Sequence, residues 1–101
     1  MWLMLIFDLP VGCREQVRAY SRFRKRLLAM GFQRVQKSAY LMFCGGRDRL
    51  EAQHGEIVSH LPSEGQVCIQ ALSPSSLQDM FRYSDGAIQP PLQEPEAALI
   101  F

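Results

Sequence analysis

Trp2-Leu3-Met4-Leu5-Ile6-Phe7-Asp8-Leu9-Pro10 is a run of six apolar residues followed by one carboxylate, a leucine and a proline. A continuous apolar run of this length suits a strand buried on both faces better than it suits a helix. Pro10 cannot donate to a sheet ladder, and it holds Leu9 in extended geometry. Asp8 therefore stands where the strand leaves the core. A lone acid there is either a turn former or a metal ligand, and the local sequence leaves both readings open.

The rest of the composition sets the frame. The 101 residues suit one domain, and 48% hydrophobic content is enough for a packed core. The opening run is too short for a membrane span, has no basic segment before it and meets no small-residue cleavage site after it. The expectation is a cytoplasmic protein with nothing removed and no membrane contact. Cys13, Cys44 and Cys68 are odd in number, widely spaced and without a Cys-x-x-Cys pair. They read as small buried thiols, not as a disulfide framework or a zinc site.

The net charge of +1 hides an uneven distribution. Residues 1–49 hold ten of the eleven Lys and Arg against three acids, whereas residues 50–101 hold only Arg82 against seven acids. Such asymmetry implies one basic face, and a basic face suits a polyanion.

A helix is expected from Cys13 to Met30, because Val17, Tyr20, Phe23, Leu27 and Leu28 recur at helical spacing and Gly31 can cap its end. On its other side Arg14, Arg18, Arg22 and Lys25 fall within roughly 80° of arc at 100° per residue. They form a basic rail that is either a solvated face or a phosphate track. Only Glu15 offers an acid within that helix, so internal ion pairing does not explain the rail.

Phe32–Gln36 and Ala39–Cys44 read as two strands joined by Lys37-Ser38, the second more buried than the first. Leu50, His54, Ile57, Val58 and Leu61 mark a second amphipathic helix from Arg47 to His60, ended by Pro62 and Gly65, with His54 packed or at its edge. Gln66–Leu72 is the next strand, and residues 77–83 could add a short one closed by Ser84-Asp85-Gly86. Three prolines among residues 89–95 mark a linker, and Ala97–Phe101 is an apolar tail suited to docking.

The order strand, helix, strand, strand, helix, strand defines an α+β class, a ferredoxin-like βαββαβ sandwich. It has a four-stranded antiparallel sheet, two helices on one face, a short extra strand and a C-terminal tail. The domain should span residues 1–86, with the linker and tail at 87–101. The second sheet face would stand bare, so a homodimer is expected to cover it.

Leu3–Pro10, with Tyr20-Ser21-Arg22-Phe23-Arg24-Lys25-Arg26-Leu27-Leu28-Ala29-Met30-Gly31-Phe32 and Val35-Gln36-Lys37-Ser38-Ala39-Tyr40, resembles the small CRISPR-associated "Cas-two" family of endoribonucleases and spacer-acquisition proteins. The likeness runs over residues 3–72, and the tail beyond Tyr83 is similar only in kind. The resemblance implies a homodimer whose two strand-end aspartates, here Asp8, approach across the dyad and hold one divalent ion, usually magnesium. A hard cation suits carboxylates and would polarise a phosphodiester. Arg34 and Tyr40 match hairpin positions that are basic or aromatic in some members and affect cleavage. Phe7 stands where some members carry a tyrosine, so a hydroxyl is missing there.

Two functions follow from the resemblance. One is a metal-dependent endonuclease on RNA or DNA, with Asp8 as ligand, Arg34 as phosphate clamp and Tyr40 as a stacking or positioning group. The other is a non-catalytic spacer between integrase ("Cas-one") dimers, with the rail Arg14, Arg18, Arg22 and Lys25 tracking duplex phosphates without reading sequence. A toxin-type ribonuclease on the same fold is a third reading, since it would share Asp8 and the dimer.

Overall fold

The computed structural model describes residues 1–94. Strand β1 spans Trp2–Asp8, helix α1 Arg14–Met30, β2 Gln33–Gln36, β3 Ala39–Phe43, helix α2 Arg47–Val58 and β4 Gln66–Leu72. The four strands form one antiparallel sheet in the order β2-β3-β1-β4. This is the ferredoxin-like α+β sandwich expected from the sequence, with the opening apolar run as an interior strand.

Alternation along β1 divides the molecule into two layers. Leu3, Leu5 and Phe7 face the helices and pack with Phe23 and Leu27 of α1 and Leu50 and Ile57 of α2. Trp2, Met4, Ile6 and Asp8 therefore point to the outer face. Burial on both sides at the Trp2 end explains why the run is apolar there at odd and even positions alike, while Ile6 is left exposed on the outer face. Gly31 ends α1 at φ 109°, with its N–H donating to the Leu28 carbonyl and that of Phe32 to the Leu27 carbonyl. This is the Schellman arrangement, and glycine adopts the left-handed backbone it needs without steric cost.

The short extra strand expected at 77–83 forms only from Tyr83 on. Pro74–Gln78 is a short helix, α3, because Ser73 accepts the Ser76 N–H as an N-cap and Pro74 fits the first helical turn. A two-stranded ribbon follows, β5 at Tyr83–Ser84 and β6 at Ala87–Ile88. Its turn residues Asp85 and Gly86 both have positive φ, as a type I′ hairpin turn requires. Gly86, where the sequence suggested the domain ends, thus lies inside this turn. Leu92 of the proline-rich segment packs with the outer cluster of Trp2, Leu41 and Leu77. The expected tail Ala97–Phe101 lies outside the described residues.

The outer face is therefore only half bare. Leu77, Met80 and Leu92 cover its Trp2 end, while Ile6, 45% exposed, and Asp8 lie on the open half. Other expectations need correction too. Val17 and Leu28 are exposed, so the buried stripe of α1 narrows to Phe23 and Leu27, flanked by Tyr20. Helix α2 ends at Val58, before Pro62, and Ser59 caps it with its hydroxyl donating to the Glu56 carbonyl. His54 is exposed rather than packed, and Val58 and Leu61 are exposed as well. Of the three thiols only Cys44 is buried; Cys13 lies in a surface turn and Cys68 on the outer face of β4.

Candidate nucleic-acid interface

Asp8 is the last residue of β1 and pairs in register with Gln66 at the start of β4. The β1–β3 ladder ends two residues earlier, at Ile6 and Ala39, and the Phe7 N–H closes it on the Ser38 carbonyl at 3.1 Å. The backbone around Asp8 is thus fixed on both sides. Phe7 adds an anchor in the layer below, with its ring 5.3 Å from Phe23, 5.7 Å from Tyr20 and 5.5 Å from Tyr40. Each such aromatic pair contributes about 0.5–1.5 kcal/mol beyond its buried area. The carboxylate itself is exposed and has no hydrogen-bond or ion-pair partner among the described residues.

The loops flanking Asp8 are tied to each other. Gln16 accepts the Gly12 N–H at 2.8 Å, and its amide donates to Glu64 at 3.0 Å, joining the β1–α1 turn to the α2–β4 turn. Gly65, with φ +93°, lies directly against the backbone of Asp8 and Leu9. Local sequence marks Gly65 only as a helix stop. Its role beside Asp8 depends on a contact between segments more than fifty residues apart, for which the sequence carries no local signal.

The three proposed catalytic positions do not converge. Arg34 and Tyr40 are a register pair on β2 and β3, but Asp8 lies beyond the end of the β1–β3 ladder. Arg34 is exposed on the edge strand and donates to the Lys37 carbonyl at 3.3 Å. Its guanidinium can reach a phosphate from the hairpin. Tyr40 has no exposed surface, stacks on Phe7 and carries a buried hydroxyl with no partner among the described residues. A ring in that position supports the strand next to Asp8 and cannot stack on a base.

Arg14, Arg18, Arg22 and Lys25 are all exposed along α1, and none forms an ion pair among the described residues. Arg26, one step further round the helix, is the α1 cation that does pair, with Glu56 at 2.8 Å. Unpaired cations on one side of a helix leave a positive track for phosphate oxygens. No three His, Cys, Asp or Glu side chains come together as a metal site among the described residues. A single chain therefore offers a cation one carboxylate, which is too few ligands for magnesium. No helix among the described residues is long and apolar enough to cross a membrane.

The fold and these surfaces define a ferredoxin-like protein with a basic helix and one open strand-end carboxylate. The family model for CRISPR associated protein Cas2 matches residues 1–80. Several relatives carry the name CRISPR-associated endoribonuclease Cas2. The protein of Ligilactobacillus salivarius is 40% identical over 79% of each chain, and that of Parvibaculum lavamentivorans is 30% identical over the full length of both. The protein of Flavobacterium psychrophilum is 34% identical over 72% of this chain, a stretch spanning 64% of that relative's length. The chain belongs to the Cas2 family of CRISPR-associated proteins.

Proposed function

We propose that the protein acts as a homodimer in CRISPR adaptation, binding nucleic acid along α1 and cutting phosphodiester bonds of RNA or DNA as an endonuclease of the endoribonuclease type. The observation that carries this reading is Asp8, an exposed and unpartnered carboxylate held rigidly at the end of an interior strand. A carboxylate kept for turn formation would accept nearby backbone N–H groups, and this one accepts none among the described residues. The names of the relatives support the same chemistry.

Dimerisation is supported by the half-covered outer face, where Ile6 is exposed beside Asp8, and by the exposed Phe81, Tyr83 and Ile88 around the ribbon. A second copy on the open half would bring a second Asp8 to the first. Two carboxylates form a hard oxygen donor set suited to Mg2+, which we propose as the cofactor, shared across the dyad. Arg34 then serves as a phosphate clamp from the hairpin, while Tyr40 acts through packing.

The unpaired rail favours a second, compatible role. The dimer would hold protospacer duplex between two integrase dimers, with Arg14, Arg18, Arg22 and Lys25 on the phosphates. In this role neither Asp8 nor a metal is required. The decisive experiment compares wild type with Asp8→Asn, measuring cleavage of labelled RNA and DNA in Mg2+ alongside duplex binding. Loss of cleavage with intact binding supports the nuclease, and retained cleavage in the variant would overturn it. Absence of cleavage by the wild type, with binding intact, leaves the scaffold role standing alone.

A further inference from the structure

We infer that the cleft between α1 and the turn after α2 is a phosphate-binding subsite, separate from Asp8, that takes one phosphoryl group of a nucleic-acid strand. Its volume is about 610 Å³, and it is lined by Arg22, Lys25 and Arg26 of α1, with His60, Leu61 and Ser63 opposite. That size lies within the range of small-ligand sites, about 300–1,000 Å³. The inference takes its ligand class from the nucleic-acid reading but does not require cleavage.

The charges facing the cleft favour an anion. Three cations from α1 meet a single carboxylate from α2, Glu56, which Arg26 already engages. Glu64, on the adjoining turn, is held by Gln16. Ser63 supplies a hydroxyl and Leu61 an apolar wall, which suits a sugar attached to the phosphate.

Arg26 and His60 are the poised pair. The Arg26 Nη2 donates to Glu56 and also meets His60 Nε2, while the neighbouring Nε is shielded from solvent and has no partner among the described residues. A guanidinium donor meets Nε2 in the tautomer that leaves this nitrogen as the acceptor and places the proton on Nδ1. From there the ring donates to the Glu56 carbonyl at 2.9 Å. A phosphoryl group entering the cleft can accept from the Arg26 guanidinium beside His60, with Arg22 and Lys25 completing the cationic wall.

The chain has two histidines, and His54 is exposed on α2 and does not line the cleft, so it serves as an internal reference. The experiment follows both imidazole ring signals by NMR while inorganic phosphate is added against chloride at matched ionic strength, with His60→Gln assigning the signals. Saturable movement of the His60 signal alone is the expected result. Arg26→Gln should weaken phosphate binding about tenfold, the usual scale for a charge-assisted hydrogen bond. Arg26→Lys, which keeps the charge but loses the fork, should weaken it too.

Short oligonucleotides with and without a 5′-phosphate separate the two sources of the group. Preference for the phosphorylated strand identifies a terminal phosphate, and equal binding with the same His60 response identifies an internal phosphodiester. Equal movement of both histidines, no saturation, or unchanged affinity in Arg26→Gln would overturn the subsite. Asp8→Asn should leave the His60 response intact, so failure of the nuclease reading and failure of this one are distinguishable.

Discussion

Gly65 sits against Asp8 so closely that a Cβ at position 65 would stand 2.7 Å from the Asp8 carbonyl oxygen and 2.7 Å from a methyl of Leu9. Both the contact and the backbone angle demand glycine. With φ at +93°, any other residue pays about 1–3 kcal/mol in backbone strain before steric overlap is counted. The neighbour that would have to yield is the backbone of the strand end that carries the candidate carboxylate.

Gly65→Ala should therefore lower stability by at least this amount and shift Asp8 at the same time. Urea denaturation reads the first effect and nucleic-acid cleavage the second. Asp8→Asn provides the contrast, since an exposed, unpartnered carboxylate can be neutralised with a stability change within about 0.5 kcal/mol. A Gly65→Ala protein with wild-type stability would show that the α2–β4 turn relaxes freely away from Asp8.

Tyr40 separates a structural from a catalytic role. Its hydroxyl is buried without a partner among the described residues, which makes it a cost to the folded state. Tyr40→Phe should leave stability unchanged or raise it by up to about 1 kcal/mol, with cleavage intact. Tyr40→Ala should cost about 3–5 kcal/mol by emptying the space beside Phe7. If Tyr40→Phe keeps its stability and loses cleavage, the hydroxyl takes part in the chemistry and packing is not its only role.

This residue also shows how far the sequence carries. The run from Ala39 to Cys44 identifies a buried strand by its apolar continuity, and β3 is that strand, with Tyr40 inside it. The same sequence cannot say which ring of a buried strand opens to a ligand. Residues 77–83 misled for a different reason, since Leu77, Met80, Phe81 and Tyr83 suggest a strand while Ser73-Pro74 is a helix start. There local capping outweighs hydrophobicity. The rail on α1 was legible from spacing alone, because exposed helix faces follow directly from a period of 3.6. Gly65 beside Asp8 and the pairing of Arg26 with His60 arise only when distant segments meet.

Cys44 gives a pH-dependent contribution of known sign. Burial pushes its thiol above the usual range, with the positive charges of Arg49 and the chain's amino terminus opposing this in part. A folded-state value above the unfolded one means that the unfolded chain loses its proton first. The stability is complete below the ordinary thiol value of about 8.5 and falls as pH rises above it through the folded value. Denaturation midpoints between pH 8 and 10 should drop in the wild type, and Cys44→Ala should show a shallower decline. Parallel curves would assign the alkaline loss to other groups.

The rail yields a quantitative expectation. Each phosphate contact on duplex DNA contributes about 0.9 to the slope of log binding constant against log salt. Arg14 and Arg18 lie on the rail but outside the cleft that Arg22 and Lys25 help to line. Replacing both with alanine should therefore reduce the slope by about 1.8, if each touches one phosphate, while leaving the His60 response to inorganic phosphate intact. Fluorescence anisotropy on one duplex across a salt series measures the slope, and a second duplex of scrambled sequence should give the same value, because phosphate contacts carry no base information. An unchanged slope in the double variant would make these arginines a solvated helix face, and a loss confined to one duplex would mean that the helix reads bases.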